Sequence, residues 1–166
     1  LRDHADEVAF PGGKPEQGDV SLLATALRES REEVGLGADD VEFVGMLTSV
    51  PVITGKYLIH PHVAIVHPGR APHLGSAREV ARVIELPVME WLTGALRWEA
   101  VKIVGRGGEL LFPHFPLGEV TLFCASAFIF HDLLRRLALV LGRPLPEPLL
   151  TESYPWVNRY AKRQEN

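Results

Sequence analysis

Three glutamates fall within a short helix-forming stretch at positions that place them on one side of a helix. They are Glu29, Glu32 and Glu33. Residues spaced by three or four are neighbours on a helix surface, so carboxylates at these spacings repel one another by about 0.2–0.5 kcal/mol per pair. A divalent cation would remove this repulsion, and Mg²⁺ is usually held by a few carboxylates, retained waters and substrate phosphates. The cluster is therefore one candidate site for a divalent cation and a phosphate compound.

A solvated helix face is the simpler explanation of the same residues. Arginines flank the acids, and Arg28 or Arg31 could pair with them. Against this explanation, a helix that needs only solubility would more often interleave Lys with Glu at these spacings. Taken alone, the three glutamates fit the solvated face better than the metal site.

Two adjacent glycines, Gly12 and Gly13, stand upstream of the acidic stretch, after the short apolar run from Val8 to Phe10. Paired glycines allow positive φ and a close approach of the backbone to a ligand. A plain turn is the alternative. A glycine loop followed by a helix with an acidic face is nevertheless a more specific pattern than either part alone.

This pattern resembles the Nudix box, usually written G-x5-E-x7-R-E-U-x-E-E-x-G-U, in which U is an aliphatic residue. The positions that match are Gly13, Arg28, Glu29, Glu32, Glu33, Gly35 and Leu36. Two departures are present. Asp19 replaces the early Glu and is followed by one extra residue before Arg28, and Ser30 replaces the aliphatic residue. By this resemblance the chain is identified as a member of the Nudix family.

A box lengthened at the same place is found in the coenzyme A diphosphatase branch of the family, which the chain also resembles elsewhere. Residues 1–13 are similar to that branch's L-x-x-H-x-G-x-V-A-F-P-G-G, with Asp6 where Gly is usual. Residues 25–29 read T-A-L-R-E, as they do in the branch. Residues 79–88 resemble its E-V-x-x-V-F-x-V-P-L, and residues 122–134 resemble a helix that ends H-D-L-L.

The resemblance implies an α/β fold, namely a Nudix-type α/β/α sandwich with a mixed central sheet and a loop-helix-loop metal site. It also implies a domain over residues 1–143, whose upstream strand we expect to precede this numbering, and a C-terminal tail over residues 144–166. The implied cofactor is Mg²⁺ or Mn²⁺. Its implied ligands are Glu29, Glu32, Glu33 and the carbonyl oxygen of Gly13.

The resemblance further implies the catalytic roles. Glu29 is either a ligand or the base that orients the attacking water. Arg28 orients a carboxylate within the loop-helix unit, and direct contact with a phosphate is its alternative role. Glu79 is a candidate for an additional ligand or base from outside the box, because Nudix folds sometimes recruit an acid there.

The implied reaction is hydrolysis of the diphosphate of coenzyme A or its derivatives to 3′,5′-ADP and 4′-phosphopantetheine. Candidate substrate-binding residues are His4, Gly12, Lys14, Arg31 and Lys56. For each basic residue a solvated surface role is the alternative, and for His4 a hydrogen bond that structures the loop. Two rival functions stay open: hydrolysis of another nucleoside diphosphate derivative such as NADH or ADP-ribose, and a catalytically silent domain that binds a nucleotide or a protein.

Several elements must position these residues. Periodicity and capping residues predict a helix over residues 21–34 that ends at Gly35 in a left-handed conformation. Alternation and turn residues predict the remaining elements. They are strands over residues 41–49, 60–67, 80–86, 112–116 and 119–123, a short helix over 87–96 and a long helix over 122–141.

Composition limits the other classes of function. The 166 residues, 46% of them apolar, fit one globular domain. A net charge of −4 argues against nucleic-acid binding, and no apolar run reaches the roughly 18 residues of a membrane span. The single cysteine excludes an internal disulfide and suggests a reducing intracellular compartment, without separating cytosol from peroxisome or mitochondrion. The expected partner is a small-molecule substrate, and a homodimer stays open.

Overall fold

The computed structural model describes residues 7–52, 55–75, 80–105, 108–152 and 154. These residues group into two compact units. The first is built mainly from Phe10–Ser49 and Ile59–Leu86, and the second mainly from Val50–Leu58 and the chain from Pro87 onward.

Helix α1, Leu22–Val34, dominates the first unit and carries all three glutamates of the acidic face. It begins after Ser21, whose side-chain oxygen accepts a hydrogen bond from the Ala24 amide at 3.1 Å and so satisfies one of the free amides of the first turn. It ends at Gly35, whose φ of 71° is left-handed. The predicted helix and its glycine cap are confirmed.

A two-stranded antiparallel ribbon follows α1 in the first unit. Strand β1, Val41–Met46, pairs with β4, His62–Val66, and a bulge lies between Phe43 and Gly45. Both strands were predicted, and each is a few residues shorter than expected. Two further short strands that were not predicted, β2 (Val50–Pro51) and β3 (Leu58–Ile59), pair with each other.

The predicted strand over residues 80–86 is wrong. These residues are irregular up to Pro87, after which helix α2, Val88–Thr93, begins as predicted. A strand preference largely reflects packing against neighbouring strands rather than a backbone tendency. Among the described residues, no strand pairs with this stretch. Its backbone therefore forms no β-ladder, although its side chains are strand-like.

The second unit contains a four-stranded mixed sheet whose strands are β5 (Glu99–Gly105), β6 (Gly108–Leu117), β7 (Val120–Leu122) and β8 (Leu149–Leu150). Their order in the sheet is β7-β6-β5-β8, and β6 pairs antiparallel with both β5 and β7. Strand β8, Leu149–Leu150, runs parallel to the start of β5, so part of the proline-rich tail belongs to the sheet. Together with the helices, this mixed pairing confirms the predicted α/β class.

Helix α3, Cys124–Val140, packs against β6 and closes the core of the second unit. Phe115 of β6 lies at its centre, with ring centroids 4.9 Å from Phe130 and 5.1 Å from Trp91. All three side chains are buried, and removing each such ring from water contributes about 1.5–3 kcal/mol. Within the described ranges, neither α3 nor any other helix is long and apolar enough to cross a membrane.

Candidate active site

The glycine loop lies directly against the acidic face of α1. The backbone amide of Gly12 donates a hydrogen bond to Glu33 Oε2 at 3.2 Å. Gly13 approaches the Glu29 carboxylate so closely that a Cβ atom at this position would collide with it. The structure therefore brings Gly12, Gly13, Glu29 and Glu33 together, and it explains why glycine stands at residue 13: only a residue without a side chain leaves room for the carboxylate.

Arg28 joins two of the three carboxylates to the loop. Its Nη2 lies 3.0 Å from Glu29 Oε1 and its Nη1 lies 3.3 Å from Glu32 Oε2. The same Nη2 donates a hydrogen bond to the Lys14 carbonyl oxygen at 3.1 Å. One guanidinium group thus sets the orientation of two acids relative to the loop, using the fork of donors that arginine provides.

Asp19 also binds the Arg28 guanidinium group. Its Oδ2 accepts hydrogen bonds from Arg28 Nη2 at 3.2 Å, from Thr25 Oγ1 at 2.9 Å and from the Glu16 amide at 2.9 Å. The hydrogen bond from Arg28 is the largest cause that lowers the pKa of Asp19 to about 2, followed by the one from Glu16. Asp19 in turn raises the pKa of Arg28, so the arginine stays charged.

The role of Asp19 was not predicted from the sequence. The Nudix box has Glu at this position and one residue fewer before the arginine, so the equivalence of Asp19 to that Glu was in doubt. The available signal was the sequence spacing of Asp19, Thr25 and Arg28. Residues 25 and 28 are three apart on a helix and therefore share a face. The aspartate that precedes the helix reaches both of them.

The donor atoms at this site suit a hard divalent cation. Carboxylate and main-chain carbonyl oxygens are the ligands that Mg²⁺ and Mn²⁺ prefer, and the glycine loop places its backbone directly against the Glu29 and Glu33 carboxylates. Within the part of the chain that the structure describes, no three His, Cys, Asp or Glu side chains are already gathered as a metal cluster. Two of the carboxylates contact Arg28 instead.

The other predicted residues are distributed more widely. The Lys14 and Arg31 side chains are exposed, and Arg31 lies in the last turn of α1 with its Cδ alongside Gly37. Lys56 is exposed and belongs to the second unit, whereas the glycine loop and α1 belong to the first. His4 and Glu79 lie outside the described residues.

The sequence also did not predict that a later segment of the chain contacts the C-terminal end of α1. The amides of His73 and Gly75 each donate a hydrogen bond at 3.0 Å, to the carbonyl oxygens of Val34 and Glu33 respectively. These residues come from the stretch between the strands predicted over residues 60–67 and 80–86, to which the sequence assigned no element. Nothing in its composition indicates which helix it contacts.

The family model of the NUDIX domain matches residues 2–102. Proteins named uncharacterized Nudix hydrolase NudL are similar to the chain, at 43% identity over 107 residues in Citrobacter koseri and 45% over 109 residues in Cronobacter sakazakii. These alignments cover 64% and 66% of this chain, and 54% and 55% of the relatives. The chain therefore spans about half the length of the curated relatives it matches.

The matched range takes in the glycine loop and the whole of α1. In that range Gly12 and Gly13 lie against the carboxylates that the Nudix pattern requires. The family match and the local geometry agree on the same residues, and the chain belongs to the Nudix family.

Proposed function

We propose that this chain is a metal-dependent Nudix pyrophosphohydrolase that acts on coenzyme A or its derivatives. The observation that carries the proposal is the close approach of the glycine loop to the acidic face of α1, at Gly12–Glu33 and Gly13–Glu29. A solvated helix face does not require a backbone segment packed against its carboxylates. A site for a divalent cation would use such a segment as a source of a main-chain carbonyl oxygen.

The proposed ligands are Glu29, Glu32, Glu33 and the carbonyl oxygen of Gly13. A bound Mg²⁺ or Mn²⁺ would neutralise charge on the diphosphate and lower the pKa of a water molecule. Glu32 is 53% exposed and contacts Arg28 on the surface. Exposed ion pairs of this kind contribute little to stability, so the Glu32 side chain can rotate from Arg28 to a ligand position at small cost.

Arg28 and Asp19 act as the support of the site. The Asp19 carboxylate accepts hydrogen bonds from Nε and Nη2 of Arg28. Nη1 and the second hydrogen of Nη2 then contact the acids of α1 and the Lys14 carbonyl oxygen of the loop. Glu29 is only 15% exposed and is held by Arg28, which suits a carboxylate that orients a water molecule. Glu79, outside the described residues, is retained as the second candidate for this role.

The choice of coenzyme A rests on the resemblance of residues 1–13, 25–29, 79–88 and 122–134 to one branch of the family. In the proposed reaction, water attacks one phosphorus of the diphosphate and the P–O–P bond breaks, which yields 3′,5′-ADP and 4′-phosphopantetheine. The proposed substrate-binding residues are His4, Gly12, Lys14, Arg31 and Lys56. The proposed domain spans residues 1–143, with residues 144–166 as a C-terminal tail.

The test is a comparison of coenzyme A, NADH and ADP-ribose at equal concentration with Mg²⁺ or Mn²⁺, with products identified by mass spectrometry. We expect equimolar 3′,5′-ADP and 4′-phosphopantetheine from coenzyme A, and a clearly higher kcat/KM for it than for the other two. A preference for NADH or ADP-ribose would overturn the substrate assignment. Absence of hydrolysis of all three would favour a silent binding domain.

A further inference from the structure

The segment His73–Gly75 lies against the last turn of α1, where Glu32 and Glu33 are found. Gly75 packs directly on the peptide group that joins these two residues: a Cβ atom on Gly75 would collide with the Glu32 carbonyl oxygen and come within 3.1 Å of the Glu33 carbonyl carbon. The Gly75 amide also donates a hydrogen bond to the Glu33 carbonyl oxygen at 3.0 Å. Gly75 therefore contacts the backbone of both residues at once.

The end of a helix needs such partners, because the carbonyl groups of its last turn have no intrahelical donor. Here the Gly35 amide donates to the Arg31 carbonyl oxygen, and the segment supplies donors to Glu33 and Val34. Without the segment, the turn that carries Glu32 and Glu33 would lose two of its hydrogen bonds and fray more readily.

The position of this turn determines where the Glu33 carboxylate lies. Glu33 Oε2 accepts the Gly12 amide at 3.2 Å, so a shift of its backbone by about an ångström would separate the acidic face from the glycine loop. The Glu33 residue is thus held at both ends, by Gly12 at its carboxylate and by Gly75 at its carbonyl oxygen.

We propose that Gly75 is a positioning residue for the metal-binding carboxylates, an inference that rests on the proposed metal-dependent function. Its lack of a side chain lets the segment contact the Glu32–Glu33 peptide, and this contact fixes the last turn of α1 against the glycine loop. A helix cap that serves stability alone would not be coupled to metal affinity.

The experiment compares Gly75→Ala with Gly45→Ala. At Gly45 a Cβ atom would meet nothing within 4 Å, so the same substitution is made in the same unit without a collision. Mn²⁺ affinity is measured without substrate by electron paramagnetic resonance, and melting temperature is measured without metal. We expect Mn²⁺ binding to weaken about 10- to 100-fold in Gly75→Ala, the range typical of partners that orient metal ligands. Gly45→Ala should match the parent within twofold.

The rate of hydrolysis distinguishes a defect in positioning the carboxylates from a loss of the folded state. Saturating Mg²⁺ should restore most of the kcat of Gly75→Ala, whereas a damaged core would lower kcat at every metal concentration. Hydrogen exchange on the parent provides a measurement that needs no variant. Because coupling is reciprocal, Mg²⁺ should slow exchange of the Gly75 amide.

The outcomes distinguish the two proposals. Unchanged Mn²⁺ affinity in Gly75→Ala, or an exchange rate of the Gly75 amide that Mg²⁺ does not alter, would overturn the positioning role while the parent still hydrolyses its substrate. If the parent itself binds no Mn²⁺ and hydrolyses no diphosphate, the proposed function fails, and this inference fails with it.

Discussion

Gly13 and Glu29 lie in such close contact that the glycine has no room for a side chain. The contact joins the loop before α1 to the middle of the helix, and Arg28 Nη2 contacts the same carboxylate at 3.0 Å. The position of Glu29 is thus set by a main-chain surface and a guanidinium group together. A small change at either contact should displace this carboxylate.

Gly13→Ala tests the contact directly. The added methyl group must displace either the loop or the Glu29 carboxylate, and a misplacement of about 1 Å at a reacting centre can cost on the order of 10²-fold in rate. We expect kcat/KM for coenzyme A to fall by about that factor. Gly45→Ala is the matched control, since it adds the same methyl group in open space. Equal kcat/KM in the two variants would show that the loop does not hold Glu29.

Asp19→Asn tests the support of Arg28 through pH. The folded-state pKa of Asp19 is about 2, below its ordinary value of 3.8. Its contribution to stability is therefore present above about pH 4 and is lost as the pH falls toward 2. We expect Asp19→Asn to be less stable than the parent at pH 7 and to lose less stability between pH 4 and pH 2.

Urea midpoints at pH 7, 4 and 2.5 measure this difference. Asp39→Asn, at an exposed residue that precedes β1, serves as the control. Parallel pH profiles for Asp19→Asn and the parent would contradict the assigned ion pair.

The glycine cap at the end of α1 should contribute to the stability of the protein. Gly35 has a φ of 71°, a conformation that costs other L-residues about 1–2 kcal/mol. A Cβ atom at this position would also collide with the imidazole ring of His73. We therefore expect Gly35→Ala to lower the free energy of unfolding by at least about 1–2 kcal/mol. Urea unfolding measures it, and an alanine variant as stable as the parent would contradict the cap geometry.

The single cysteine should be poorly reactive in the folded protein. Burial, with a smaller effect from the charge of Glu7, raises the pKa of Cys124 to about 11. At pH 8 only about one thiol in a thousand is then ionised, and the thiolate is the nucleophile. We expect slow labelling by a disulfide reagent in buffer and rapid labelling in urea. Complete labelling of the folded protein within minutes would contradict this.

The features that local residues specify were predictable from the sequence. Helix α1 follows from its periodicity, the capping side chain of Ser21 and the left-handed Gly35, all within a few residues of one another. The acidic face follows from the i, i+3 and i+4 spacing alone. Strands β1 and β4 were predicted because apolar and polar residues alternate along them and turn residues lie at their ends.

The features that depend on contacts distant in sequence were not predictable. The stretch from Val80 to Leu86 has strand-like residues, but no partner strand among the described residues determines a ladder for it. Gly75 looks like an ordinary loop glycine until the structure places it on the Glu32–Glu33 peptide. Strand β8 was missed because its pairing with β5 joins residues about 50 positions apart, a separation that period-based patterns do not cover.

The most direct test of the central claim is the Mg²⁺-dependent turnover of coenzyme A by Glu33→Gln and Glu32→Gln, measured beside the melting temperature. Each substitution replaces a carboxylate by an amide of the same size and so removes one negative charge. The variant should bind a cation more weakly, and the repulsion between carboxylates along α1 should decrease. Glu42→Gln, at an exposed residue of β1, is the control.

We predict that kcat/KM falls by more than about 100-fold in both α1 variants, beyond the effect of residues that only orient ligands. Their melting temperature without metal should hold or rise, and the control should match the parent. If either α1 variant turns over coenzyme A like the parent, its carboxylate does not hold the metal and the account of the site is contradicted.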